Sequence, residues 1–515
     1  MCVSKDYKTQ LPKESSVCII LRHHGDILGT GVGSGESLHP LVDAATLAFK
    51  ETNTHQIFSK LSSEMKKHAC NSISIELELG EKPIASPSKS LARFAEITTA
   101  SDGGVGVRRG NKWDIRLPAI LRLSPKRDIE NILTSLCMNV GVHPSAAISR
   151  QLPIDDDVTL YTIPTLGGVQ NVANGDIQQL FQGDELVEQK VNASISFVEL
   201  ANMLAAHLIA STGESGNVIG AYQPETDSLP SPLASPFVQI MVATALLEYA
   251  DLHAASLTNN ARRSASRILN DIKKTFHTRD EIPNDVAAAV VIANMSNATE
   301  LFYNTCTEQI IQLAIDITDG SVVVDKPHTF ALVALAMGKL AKRNESQHDN
   351  LAEKICLRCL DEVSLQSKVS TIPWIVEAVL ELRNNGIKVD TAALDELLNL
   401  VIASQIVEGN QPELIGGFQL SSPDGVVADA RGVRILPMLV QLSECKSSEA
   451  LRSLMLTTRF VTQLTTRKER AQRFQNPAMA IGGVRASMSD ATMPTEATAM
   501  ALIGITRAAN LFHSQ

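Results

Sequence analysis

Two related loops near the C-terminus carry the side chains best suited to chemistry. Gly416-Gly417-Phe418-Gln419-Leu420-Ser421-Ser422-Pro423-Asp424 and Gly482-Gly483-Val484-Arg485-Ala486-Ser487-Met488-Ser489-Asp490 match without a gap at both glycines, at a serine and at the closing aspartate. With a one-residue slip, Asp429 also corresponds to Glu496. Carboxylates repeated in this way could serve as general acid and base across a glycosidic bond, one of them held protonated by its surroundings. Asp490, Glu496, Asp424 and Asp429 are therefore the candidate catalytic residues. Arg485 and Arg431 could orient an anionic group, and Tyr222, in Tyr222-Gln223-Pro224, is a further candidate for ligand binding. The same residues also suit a purely structural role. A paired glycine permits positive φ and close backbone approach, and an acid near a helix start caps exposed N–H groups.

Other groups carry weaker signals. Cys356-Leu357-Arg358-Cys359 is a CxxC inside a helical run with no second pair or histidine cluster, which points to buried thiols rather than a metal site. Gly29-Thr30-Gly31-Val32-Gly33-Ser34-Gly35 invites a phosphate-loop reading but fits neither G-x-G-x-x-G nor G-x-x-x-x-G-K-[ST]; a flexible hairpin tip or a glycine-rich edge strand explains it as well. His23-His24 lacks neighbours at ligand spacing, and Asp155-Asp156-Asp157 reads as a solvated acidic run. No motif names a cofactor, and no metal set stands out.

The elements that must position these residues fall into two kinds. In residues 1–170, Ser16–Arg22, Ser72–Leu79, Gly104–Arg108 and Val158–Ile163 are β-rich, whereas Leu38–Glu51 and Lys126–Gly141 have i, i+3, i+4 apolar spacing, an α+β pattern. Residues 171–194, rich in Gln, Asn, Asp and Gly around Leu180-Phe181, read as a linker or a strap packed along the second domain. Residues 195–515 give helix after helix, about a dozen from Phe197–Ser211 to Pro494–Phe512. That count suits six helical hairpins, and the internal repeat favours their closure into a ring over an open solenoid. The expected fold class is thus multidomain, an α+β N-terminal domain followed by an all-α, (α/α)6-type toroid.

Composition narrows the function classes. The chain has 515 residues, 44% apolar and 20% charged, with Lys+Arg 46 against Asp+Glu 56 and a net charge of −10. No global positive field exists to hold nucleic acid. The longest apolar runs fall short of the roughly 20 residues a bilayer needs, and eight scattered cysteines with no secretory signal point to the cytoplasm. Only 20 residues are aromatic, two of them Trp, which argues against a large aromatic-lined cleft.

The N-terminal third resembles the AMMECR family. The likeness rests on Val17–Leu21 with Ile27-Leu28-Gly29 as a hairpin, Leu38-His39-Pro40-Leu41 leading into a helix, Ile73–Leu77 closing on Lys82-Pro83-Ile84, Gly104–Gly110, and Leu117-Pro118-Ala119-Ile120 followed by Ile129–Val142. Where that family carries Leu-Arg-Gly-Cys-Ile-Gly, this chain reads Ile27-Leu28-Gly29-Thr30-Gly31-Val32, so the Arg and Cys are missing and no cysteine chemistry transfers to Thr30. The helical part resembles the six-hairpin toroids: terpenoid cyclases, prenyltransferase β-subunits and polysaccharide-active enzymes. In such rings the site lies at the cavity mouth, where the loops before the inner helices converge. The cyclases' Asp-x-Asp-Asp acid and the prenyltransferases' Asp, Cys and His zinc set are absent, which leaves a toroid that binds or acts on a polar, carbohydrate or anionic ligand. The rival is a non-catalytic binding or scaffold protein with a partner protein as its ligand. The AMMECR resemblance would place that rival in a modification pathway beside Memo-type and radical SAM proteins, although this chain has no CxxxCxxC cluster of its own. Oligomeric state is not readable from the sequence.

Overall fold

The computed structural model describes residues 15–513 except 35–36, 89, 92–93, 95–102, 124–128, 143–156, 172–174, 188–195, 253–255, 278–280, 294–299, 323–325, 344–347, 363–367, 388–391, 423–424 and 445–446. Asp424, Asp155 and Asp156 lie outside the described residues.

The N-terminal unit is built on two antiparallel sheets. Strands β1 (Ser16–His23), β2 (Asp26–Gly33), β3 (Ile73–Gly80), β8 (Thr165–Gln170) and β9 (Gln178–Leu180) form one, in the order β2-β1-β3-β8-β9; β4 (Ile84–Ala85), β5 (Gly104–Arg109), β6 (Lys112–Arg116) and β7 (Val158–Ile163) form the other, in the order β4-β7-β5-β6. The unbroken apolar run of β1 suits a strand covered on both faces. Val17, Ile19 and Leu21 face helix α1 (Pro40–Thr54), while Cys18 and Ile20 pack with Ile115, Leu117 and Ile163 between the sheets. Helices α2 (Pro118–Arg122) and α3 (Ile129–Asn139) complete the unit, with α3 covering Val105, Val107 and Leu160 of the second sheet. Ile84 pairs with Thr162 of β7 rather than closing on β3.

The glycine-rich stretch is edge strand β2, not a flexible tip or a phosphate cradle. Its alternate glycines lie against α1: a Cβ on Gly29, Gly31 or Gly33 would meet the carbonyl oxygens of Ala48, Ala44 and Pro40 at 2.2, 1.9 and 1.8 Å. Thr30 gives its backbone N–H and its hydroxyl to Glu51 Oε2, at 2.5 and 2.9 Å. The turn between β1 and β2 is His24-Gly25, both residues at positive φ, and Gly25 abuts the backbone of Phe474 in the helical unit.

The helical unit is a closed ring. Helices α4 (Phe197–Ala210), α6 (Thr258–His277), α8 (Glu300–Asp319), α10 (Asp349–Glu362), α12 (Ala392–Ala403) and α14 (Ser448–Leu464) form its outer layer. Helices α5 (Pro236–Ala250), α7 (Asn284–Ile292), α9 (Pro327–Arg343), α11 (Lys368–Asn384), α13 (Leu436–Glu444) and α15 (Thr495–His513) form its inner layer. Each inner helix packs on the next, and α15 packs on both α13 and α5. This is the (α/α)6 arrangement expected from the hairpin count. Among the described residues, no helix is long and apolar enough to cross a membrane.

A loop motif used three times staples the outer layer. After α4, α12 and α14 the chain turns back through the bridges Thr212↔Val218, Gln405↔Phe418 and Thr465↔Val484. Two residues before each second partner stands a glycine with positive φ: Gly216 at +103°, Gly416 at +92° and Gly482 at +82°. A Cβ there would meet the carbonyls of Arg267, Leu456 and Met203 at 2.2, 1.9 and 1.9 Å. Each loop thus sits directly on the next outer helix, and Gly482 closes the ring onto α4.

Candidate functional site

The second and third glycine loops deliver their acids to the N-terminal ends of α13 and α15, which lie side by side. A backbone bond from Ala430 N–H to the Ala486 carbonyl, at 2.9 Å, joins the two loops. A 3-10 turn, Ala430–Ile435, leads into α13, and Asp429 caps it by accepting the Arg431 N–H at 2.9 Å. The Arg431 side chain folds back onto the same carboxylate, with Nε at 2.8 Å and Nη2 at 2.7 Å from Oδ2. One turn on, Arg434 Nη2 donates to Glu496 Oε1, in the first turn of α15, at 2.5 Å. Burial lifts the Asp429 carboxyl above the usual range, although Arg431 and Arg434 oppose the shift. The result is a partly exposed patch of two carboxylates and two guanidinium groups.

The other expected residues stand elsewhere. Asp490 closes its own turn by accepting the Thr492 N–H at 2.9 Å. Tyr222 is buried beside Phe474 and Met493, and its hydroxyl donates to Asp227 at 2.7 Å; burial and Asp227 both push its ionisation up. Arg485 is fully buried and gives its donors to the carbonyls of Gln463, Leu464 and Met488 and to Asp184 Oδ2. It anchors residues 181–187, which run across both glycine loops: Val187 bonds to Gln463 and Arg459, and Gln182 to Glu413. Orienting an anion at the mouth is therefore a poor fit for Arg485, because its guanidinium is spent on holding this strap.

A second charged layer lies deeper in the ring and was not anticipated from the sequence. Glu496, Met500, Ile503 and Arg507 recur at helical spacing, so one face of α15 runs from the mouth about 16 Å down the axis. Arg507 meets Glu248 of α5 through Nε and Nη2, at 2.9 and 2.8 Å, and Glu377 of α11 through Nη1 at 3.1 Å. Burial alone would lower the ionisation of Arg507, but the two carboxylates outweigh it and raise it. A cavity of about 60 Å³ on the axis is lined by residues of all six inner helices, Trp374, Lys339 and Arg507 among them. That volume admits a few waters and is far below the several hundred Å³ of a typical ligand pocket. A signal was present in the sequence: Glu248 is the one charge of α5, and Arg507 stands alone in the apolar run that follows Glu496 in α15, and such charges need partners.

Among the described residues, no group of three or more His, Cys, Asp or Glu is placed to hold a metal ion. Cys356 and Cys359 are buried in α10, and burial pushes the Cys356 thiol up to about 12. His23 and His24 stack edge to face at the β1–β2 turn.

No family model matches this chain, and no curated protein matches it. Among solved structures, it is similar to an uncharacterised protein from Pyrococcus horikoshii at 17% identity, covering 34% of this chain and 83% of that one with a TM-score of 0.24. It is also similar to a family 76 glycoside hydrolase from a bovine Bacteroides thetaiotaomicron strain (9% identity, 86% of this chain, 97% of that one, TM-score 0.43). A third similar structure is an inactive α-1,6-mannanase variant of Salegentibacter sp. HEL1_6 in complex with a mannotetraose (10% identity, 62% of this chain, 100% of that one, TM-score 0.41). None of these likenesses assigns a role to a residue of this chain.

Proposed function

We propose that the ring binds a small anionic carbohydrate, a sugar acid or sugar phosphate, at the mouth formed by the second and third glycine loops. The observation that carries this reading is the paired patch itself. Arg431 and Arg434 present partly exposed guanidinium groups beside the carboxylates of Asp429 and Glu496, at the starts of two adjacent helices. Guanidinium groups and helix N-termini suit the anionic group, and the carboxylates suit sugar hydroxyls. The axial cavity is too small to take a sugar, so the ligand stays at the mouth. Both carboxylates are engaged by arginine, an arrangement that favours binding over hydrolysis. The raised ionisation of Asp429 supports a catalytic second reading, with Asp429 as general acid and Glu496 or Asp490 as base.

Calorimetric titration with glucuronate, glucose 6-phosphate, glucose and inorganic phosphate tests the reading. The two sugar anions should bind, glucose should not, and Arg434→Met should weaken binding at least tenfold. Equal binding of glucose and glucuronate, or unchanged binding by the variant, would contradict it. Release of sugar from an aryl glycoside, lost in Asp429→Asn, would favour the catalytic reading.

A further inference from the structure

Where the N-terminal unit meets the ring, nine charged side chains are buried together. They are Arg22 of β1, Glu76 and Glu78 of β3, Arg122 of α2, Asp184 of the strap, and Glu225, Arg470, Arg473 and Arg485 of the ring loops, each less than one-tenth exposed. The network is continuous. Arg22 reaches Glu225 at 2.7 Å and Glu76 at 3.9 Å, Arg122 reaches Glu76 at 3.0 Å and Glu78 at 3.7 Å, and Asp184 takes Arg470 at 3.0 Å and Arg485 at 2.8 Å. Arg473 joins it through Gly183, whose carbonyl accepts from Nη1 at 3.4 Å, and its own carbonyl accepts from Arg22.

Five arginines face four carboxylates, so a chain with a net charge of −10 holds one excess positive charge in this buried cluster. Adding the neighbouring Arg459 with Glu413, and Arg467 with Glu185, leaves that excess unchanged. The donors are unbalanced too. Nε and Nη2 of Arg473 and Nε of Arg22 are buried without a hydrogen-bond partner, whereas Nη1 of Arg470 already pairs with Asp184. An uncompensated buried charge is strongly destabilising, and unmet guanidinium donors add to that cost. A single small anion would remove both.

We propose that one small inorganic anion, chloride or phosphate, binds among Arg22, Arg470 and Arg473 and ties the N-terminal unit to the ring. The site is separate from the sugar-binding mouth, since neither Arg431 nor Arg434 belongs to the cluster.

Thermal unfolding of the full chain at constant ionic strength tests this, with sodium methanesulfonate, which is no sugar acid, replaced stepwise by chloride in one series and by phosphate in another. Above saturation, each tenfold rise in the bound anion should raise the midpoint by about 1–2 °C, and the responding series identifies the anion. Arg473→Gln should abolish the dependence. Glu225→Gln, which enlarges the positive excess, should be less stable in methanesulfonate, should begin to respond at a lower anion concentration and should gain more in total, so the test survives if Arg473→Gln does not fold. Arg434→Met should respond as the wild type does, which separates this site from the mouth. Equal midpoints in methanesulfonate, chloride and phosphate would overturn the proposal, as would an undiminished response in Arg473→Gln or no larger gain in Glu225→Gln.

Discussion

Gly482 lies so close to Met203 that a Cβ on the glycine would fall 1.9 Å from the methionine's carbonyl oxygen. This contact closes the ring, because Gly482 belongs to the last glycine loop and Met203 to α4, the first outer helix. Neither backbone can give way without parting the two ends of the toroid. Gly482→Ala should therefore cost at least about 3 kcal/mol, well above the 1–2 kcal/mol expected of a left-handed backbone alone. Gly320→Ala is the control: its φ is +84°, but nothing lies within 4 Å of its Cβ position. Denaturant melts of the two variants should separate the terms, and equal losses would refute the stapling role.

His207 sits beneath the same loop, 1% exposed, with both ring nitrogens lacking a hydrogen-bond partner. The main chain at Met479 and Ile481 faces the ring without reaching bonding geometry. Burial holds its ionisation down at about 4. Between pH 6.5 and 4 the unfolded chain takes up a proton that the folded chain refuses, so stability falls as pH falls through that window and levels off below it. The full loss should approach about 3 kcal/mol. Urea melts from pH 7.5 to 4.5 should show this slope, and His207→Gln should flatten it.

Arg507 neutralises Glu248 and Glu377 across the ring. Arg507→Met should cost about 2–3 kcal/mol, less than a fully buried pair because Arg507 and Glu248 remain about a quarter exposed to the axial cavity. Glu377, at 4% exposure, bears most of the loss, so adding Glu377→Gln should restore part of it. A double variant no more stable than Arg507→Met would show that the arginine acts by packing alone.

The helices of the ring were legible because each carries its own apolar period and loop punctuation. Even so, the apolar period over residues 428–442 reads as one continuous helix, whereas the chain forms the 3-10 turn Ala430–Ile435 before the α-helix starts at Leu436, which lets Asp429 cap the turn. The glycine repeat was legible at Gly416 and Gly482, since positive φ restricts the residue type. The third copy, around Gly216, shares geometry but little sequence. The site was less legible. Spacing could pair Asp429 with Glu496 but could not show that Arg434, three residues beyond the expected Arg431, reaches Glu496 across two helices. It also could not reveal that Arg485 serves the strap, whose Asp184 lies 301 positions away. The five-stranded sheet depends on such distant pairings too, with β3 beside β8.

The most direct measurement is the thermal midpoint of wild type, Glu496→Gln and Arg434→Met, each with and without saturating glucuronate. A ligand at about 100 times its dissociation constant should stabilise the wild type by roughly 2.7 kcal/mol. Glucuronate should raise the wild-type midpoint, and both substitutions should abolish the rise while lowering the unliganded midpoint little, since the Arg434–Glu496 pair is about one-third exposed. If glucuronate shifts nothing, and both substitutions destabilise by the 0.5–2 kcal/mol typical of a lost cap, the patch is a structural clasp and the mouth is not a binding site.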